Sequence, residues 1–175
     1  RESGRLRADG NAAGHETRYY ECFRNFLLRA FPIEYSIEGE GTYNQRRPDF
    51  RIFRLGQDMT RDDPADPDNL LCLIETKSHG ENLIQLMRND PRRQLRTYLT
   101  EISPNLLLTN YREYRLIEIN DDDEIVTKEN GYFAFADTDD QFWDLSDRGE
   151  AHNLNLFTTF QAWVADHILI LDDGA

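Results

Sequence analysis

The stretch Leu70–Ser78, LLCLIETKS, constrains the fold more than any other part of the chain. It reads as a buried strand ending in a carboxylate and an ammonium two positions apart. Side chains alternate along a strand, so Glu75 and Lys77 share one face, with Leu71 and Leu73 behind them. Opposite charges placed side by side at the end of an apolar run point to a site rather than to a solvated surface.

The flanking chain supplies the elements such a strand needs. From His15 to Phe31, Tyr19, Phe23, Phe26, Leu27 and Ala30 recur at three- and four-residue spacing, which predicts an amphipathic helix. Pro32 ends it, and Ile33–Glu38 alternates like a short edge strand. In Arg46–Arg54, Pro48 holds Arg47 extended. Phe50 and Ile52 then fall on one face of a strand, with Asp49, Arg51 and Phe53 on the other. Residues 56–69 form a polar loop with five Asp and two Pro but without the ligand spacing of a calcium loop. It reads as a solvated link between two strands of a hairpin.

After LLCLIETKS, His79-Gly80 turns the chain and Glu81–Arg88 makes a short helical piece. Asp90-Pro91 reads as an N-cap and first-turn proline opening a helix to Ile102. Asn105–Thr109, NLLLT, suits a central strand lying parallel to LLCLIETKS. Tyr111–Ile119, Glu124–Thr127 and Tyr132–Ala136 extend the sheet in antiparallel fashion. Asp137–Leu145 reads as one helical turn packing Phe142 and Trp143. Asn153–Leu171 is an amphipathic helix with Leu156, Phe160, Trp163, Val164, His167 and Leu171 on one stripe. The expected fold is α/β, a central mixed sheet of about four to six strands flanked by helices. Residues 1–13 are expected as a flexible tail, 14–136 as the core, and 137–175 as an acidic helical extension packed on it.

Composition limits the function classes. The net charge of −13 argues against a simple basic nucleic-acid binder. The charge is uneven, however: residues 1–119 hold 18 Lys+Arg against 19 Asp+Glu, and residues 120–175 hold 2 against 14, so −1 and −12 make up the total. Basic residues gather at Arg46, Arg47, Arg51 and Arg54, and at Arg88, Arg92, Arg93 and Arg96, flanking the chemically interesting positions. Cys22 and Cys72 make neither a disulfide framework nor a metal motif and read as reduced core or near-core residues. That usage, with no apparent secretory leader or membrane-length apolar run, predicts a cytoplasmic protein with no membrane partner. A chain starting at Arg1 rather than Met reads as a processed or excised piece of a larger polypeptide.

Hydrolysing a phosphodiester needs an activated water, neutralised phosphoryl charge and a stabilised leaving oxygen. Carboxylates holding Mg²⁺ supply these, and a lysine orients the water or stabilises developing charge. The minimum set is an Asp and a Glu on adjacent strands with a Lys beside the Glu. Asp49 starts one strand and Glu75-Thr76-Lys77 ends the next, so in a hairpin the two acids converge at one edge. Glu16 has two readings: an acid favourably placed near the helix dipole, or a metal-site or water-orienting carboxylate. Gln94 and Tyr98 share a helix face. No nucleophilic triad order, phosphate loop or dinucleotide fingerprint is present. His79 reads as a turn histidine without a partner.

Pro48-Asp49 followed 26 residues later by Glu75-x-Lys77 resembles the PD-(D/E)XK nuclease superfamily. Gln94-Leu-Arg-Thr-Tyr98 is similar to the Q-x-x-x-Y motif of its RecB-like branches. More narrowly, RPDFRIFR, LIETKSHGENL, QLRTYL and PNLLLTNYREYRLI resemble the N-terminal nuclease domain of type ISP and related single-chain restriction–modification enzymes. This resemblance covers roughly residues 15–120 and leaves the acidic last third unexplained. It implies a Mg²⁺-dependent endonuclease acting on double-stranded DNA, with Mn²⁺ as a substitute, in bacterial or archaeal phage defence. Methyltransferase and translocase domains are the implied partners on the same polypeptide. By the same resemblance Asp49 and Glu75 hold metal, Lys77 acts on the attacking water, Glu16 assists and Gln94 orients the site. Arg46, Arg47, Arg92 and Arg93 are the expected DNA contacts. Two alternatives remain: a non-catalytic module of the same fold, and a RecB-like exonuclease.

Overall fold

The structure, a computed structural model, describes residues 12–39, 47–147 and 149–174; within these, the side chains of 12–19, 146–147, 150–151 and 173–174 lie outside the description. Helix α1 (Ala12–Ala30) opens three residues before the expected start and is followed by strand β1 (Tyr35–Gly39). Strands β2 (Phe50–Arg54) and β3 (Leu70–Thr76) form the expected hairpin. Helices α2 (Leu83–Asn89) and α3 (Gln94–Glu101) lead to β4 (Leu106–Thr109), β5 (Glu113–Ile119) and β6 (Ile125–Ala134). The chain closes with α4 (Asp139–Trp143) and α5 (Glu150–His167).

Among the described residues the sheet has six strands in the order β1-β2-β3-β4-β5-β6. Of these strands β3 and β4 run parallel, and the other neighbouring pairs are antiparallel. The parallel step requires a crossover, which α2 and α3 provide. Its consequence for function is geometric. The C-terminal ends of β3 and β4 and the start of β2 all lie at one end of the sheet.

Helices cover both faces. Phe23 and Leu27 of α1 and Phe160, Trp163 and Val164 of α5 pack on Ile37, Ile52, Cys72, Ile74 and Leu107. On the other face Leu83 and Met87 of α2 and Leu95, Tyr98 and Leu99 of α3 cover Leu73, Leu106, Leu108 and Ile117. Covered on both sides, β3 and β4 are apolar without alternation, as NLLLT and LLCLI indicate. Leu71 joins the α1 face rather than lying behind Glu75, because a bulge between Ile52 and Phe53 shifts the pleat there. Phe160 is fully buried among Phe26, Tyr114, Phe133 and Phe135, so truncating it to Ala would cost roughly 3–5 kcal/mol. By length and composition His152–Asp172 is apolar enough to cross a membrane, contrary to the expectation that no run approaches this. Its buried side chains pack on the sheet.

Four local expectations need correction. The helix predicted from Pro91 begins as α3 at Gln94, because Arg92 (φ 61°) and Arg93 (φ 56°) are left-handed. Asp90 still caps it, accepting from the Leu95 and Arg96 backbone N–H groups at 2.8 and 3.0 Å. The two predicted strands at 124–136 are one strand, β6, whose register against β5 jumps across residues 128–131, where the sequence suggested a break. Gly131 is required there: a Cβ would lie 2.9 Å from the carbonyl oxygens of Leu116 and Lys128. The 56–69 loop is tied down rather than merely solvated. The Arg61 guanidinium donates to the carbonyls of Leu28, Phe31, Pro32 and Tyr35 at 2.7–2.9 Å, satisfying acceptors at the end of α1. Finally, Cys22 is exposed rather than near the core, while Cys72 is buried.

Candidate active site

Three strands bring the chemistry to one end of the sheet. Phe50 is the register partner of Ile74, so Asp49, one residue before β2, comes beside the Glu75 end of β3. Thr76 pairs with Thr109 at the end of β4, and the Lys77 N–H donates to the Thr109 carbonyl at 2.7 Å. The backbone is thus held on both sides of Glu75-Thr76-Lys77.

Glu75 and Lys77 face α3, as alternation predicts. Lys77 Nζ donates to Glu75 Oε1 at 2.8 Å and to Gln94 Oε1 at 3.0 Å. Gln94, half-buried, in turn donates from Nε2 to the hydroxyl of the buried Tyr98 at 2.9 Å. An ammonium only donates, so the amide oxygen rather than its nitrogen meets it, and Nε2 is left to donate to the Tyr98 hydroxyl. Glu75 is only 4 % exposed, and its second oxygen, Oε2, is buried with no hydrogen-bond partner. Burial, then the nearby Asp49 charge, push its carboxyl up to about 7 against the opposing pull of Lys77 and of the Asp49 backbone N–H.

Asp49 does not share that face. Preceding the strand, it is not bound by the strand's alternation, and its carboxylate turns toward α1. Oδ1 accepts from the Tyr20 hydroxyl at 2.9 Å. Oδ2 accepts from the Thr76 N–H at 2.7 Å and from the Thr76 hydroxyl. Burial, then Asp49, raise the Tyr20 phenol above its ordinary range, so it stays a donor. The two acids therefore meet at one edge, each held from a different face. Among the described residues no group of three or more His, Cys, Asp or Glu side chains is gathered as a metal site.

Residue 16 lies one helical turn before Tyr20 on α1, but the Glu16 side chain lies outside the described residues. Arg46 also lies outside them. Arg47, Arg92 and Arg93 are exposed, and the last two immediately precede Gln94. The remaining members of the two basic clusters divide differently. Arg51 pairs with Glu38, Arg54 with Asp172 and Arg96 with Asp123, while Arg88 is exposed. Sequence reasoning missed Tyr20 and Thr76, which hold Asp49. Tyr20 lies outside the α1 stripe of Tyr19, Phe23, Phe26, Leu27 and Ala30, so the helical pattern gives it no role, and Thr76 is the variable centre of E-x-K. His79 does have partners: its ring lies 4.6 Å from Trp143 and 5.4 Å from Phe142, with Nδ1 3.7 Å from Asp139.

Comparison of the chain with protein-family models, curated proteins and solved structures gives no significant match.

Proposed function

We propose that this chain is a Mg²⁺-dependent nuclease domain acting on double-stranded DNA, with Asp49, Glu75 and Lys77 at its centre. The observation that carries this reading is the buried, unpartnered Oε2 of Glu75 beside an ammonium held by Glu75 and Gln94. A buried carboxylate oxygen without a donor is costly and calls for a cation. The donors present are hard oxygens, and Mg²⁺ is commonly held by one or two carboxylates with the rest of its shell from water and phosphate. Asp49 and Glu75 fit that requirement. Bound there, Mg²⁺ would supply charge neutralisation at the phosphoryl oxygens and a more acidic attacking water.

The chain's own residues divide the remaining work. An ammonium has three N–H bonds, and Lys77 gives two to Glu75 and Gln94. The third is left for the attacking water or a phosphate oxygen, in a direction fixed by the other two. Tyr20 and Thr76 hold Asp49 against rotation. Arg47, Arg92 and Arg93 are exposed near the ends of the site and are suited to phosphate contacts. The resemblance of PD…E-x-K and Q-x-x-x-Y to PD-(D/E)XK nucleases supports the same assignment. It also supports a place in restriction–modification or phage defence, with methyltransferase or translocase partners.

Incubating the protein with covalently closed plasmid DNA and Mg²⁺ tests the proposal. Nicking or linearisation is expected, lost on removing the metal and in Asp49→Ala and Lys77→Ala. Equal cleavage by both variants would sink it. Activity on linear DNA alone would instead place the chain with the RecB-like exonucleases.

A second reading, a non-catalytic DNA-binding module, is favoured by one observation: both Asp49 oxygens already accept protein donors. Calorimetric titration with Mg²⁺ or Mn²⁺ separates the two. Binding that disappears in Asp49→Ala favours the nuclease.

A further inference from the structure

We propose that the aromatic cavity between α1, the β4–β5 turn and α4 docks a positively charged polypeptide segment that inserts one large apolar side chain. The cavity measures about 420 Å³ and is walled by Phe26, Tyr111, Tyr114, Phe135, Phe142 and Trp143. That volume falls within the range of sites that enclose an organic group. It is almost wholly apolar, so what enters is an apolar body rather than a hydrogen-bonding one.

Trp143 is the clearest sign that this face meets something. It is 54 % exposed on a helix of only five residues, yet its ring is held against the His79 imidazole at 4.6 Å. The helix is anchored through Asp139, which accepts from Arg112 Nε at 3.0 Å. Arg112 also donates to the carbonyls of Ala136 and Asp137. The aromatic wall is therefore set in advance, and a large, pre-ordered, exposed aromatic is the kind of residue that dominates interfaces.

Charge selects the occupant. Residues 137–147 contain five Asp and neither Lys nor Arg. Asp140 and Asp144, both exposed, flank the Phe142-Trp143 pair, and exposed Glu21 lies beside Cys22 on the opposite wall. Among the described residues the neighbouring cation, Arg112, is committed to Asp139, to Glu113 and to the two carbonyls. A nucleic acid bringing a base to this cavity would carry its phosphates past those carboxylates. A lysine- and arginine-rich segment would be attracted there. This assignment is independent of the nuclease reading, and it gives the acidic last third a role the candidate site does not.

The test uses the full 175-residue chain and a short synthetic peptide of Lys and Arg with a central Leu-Phe pair. Tryptophan emission reports directly, since Trp143 is exposed and Trp163 buried. Saturable binding with a blue shift is expected. Replacing Leu-Phe by Ala-Ala in the peptide should weaken binding about tenfold, as loss of an anchor does. Trp143→Ala, followed by calorimetry, should weaken it similarly, with Trp143→Phe retaining most of the affinity. The double variant Asp140→Asn, Asp144→Asn, at exposed positions, should weaken binding several-fold and flatten its salt dependence. No saturation, or equal binding of the Ala-Ala peptide, would overturn the proposal.

Discussion

The Tyr20 hydroxyl donates to Asp49 Oδ1 at 2.9 Å, joining the first helix to the first acid of the candidate site across 29 positions of sequence. Tyr20 also packs on Phe50, ring centroids 5.6 Å apart, so the same side chain supports the strand start and aims the carboxylate. Groups that orient a metal-binding carboxylate typically matter by about 10–100-fold in affinity or activity when removed. Tyr20→Phe keeps the packing and deletes the donor. Cleavage of plasmid DNA should fall by that factor while the thermal midpoint stays within a few degrees. A variant as active as the parent would mean Asp49 needs no aiming.

Glu75 predicts how stability changes with pH. Its carboxyl titrates near 7 in the fold against 4.5 in an unconstrained chain, because burial and Asp49 disfavour its charge. The folded protein therefore binds more protons than the unfolded one between those values. Stability contributed by this group is full below about 4.5 and is lost as pH rises through 7. A shift of this size corresponds to roughly 3 kcal/mol. Denaturant titration of the metal-free protein should show a falling stability between pH 5 and 8 that flattens in Glu75→Gln. Identical pH profiles for the two proteins would contradict the assignment.

Arg61 carries a structural prediction. Its guanidinium satisfies four backbone carbonyls around the end of α1 and β1, and burial lowers its pKa from the usual arginine range. Hydrogen bonds to a charged group contribute roughly 1.5–3 kcal/mol when lost. Arg61→Ala should destabilise by about that amount and open the 56–69 loop to limited proteolysis. Arg61→Lys should not restore it, since an ammonium lacks the planar fork.

The parts of this molecule legible in the sequence are those set by burial and strand period. LLCLIETKS and NLLLT are covered on both faces, and both fall in the sheet centre where their composition places them. The Glu75–Lys77 pairing follows from alternation alone, and the Gln94–Tyr98 contact from helical spacing. What was not legible depends on contacts distant in sequence or on unusual backbone. Nothing local tells that Trp143 would stack on His79, or that Asp49 would turn to Thr76 and Tyr20 instead of following strand alternation. Lys128-Glu-Asn-Gly131 has turn composition, yet the strand continues through it as an irregularity. Arg92 and Arg93 carry no glycine or asparagine signal for the left-handed backbone they adopt.

That last departure yields a prediction in its own right. Two consecutive arginines with positive φ sit directly before Gln94, the residue that positions Lys77. A left-handed non-glycine residue costs roughly 1–2 kcal/mol, and such strain persists where the surroundings enforce it. Here Asp90 enforces it by clamping the Leu95 and Arg96 N–H groups. The result is that both guanidinium groups stay exposed at the site's flank. Glycine adopts this backbone freely, at some entropic cost in the unfolded chain. Arg92→Gly with Arg93→Gly should therefore be as stable as the parent or more so, by up to about 1 kcal/mol. The same variant should bind DNA more weakly, uniformly across sequences, with the log-log salt slope reduced by roughly one per lost phosphate contact. Stability gained together with affinity lost would identify the strain as serving DNA contact. Stability lost with affinity intact would mean the arginines hold the α2–α3 connection and do not meet phosphate.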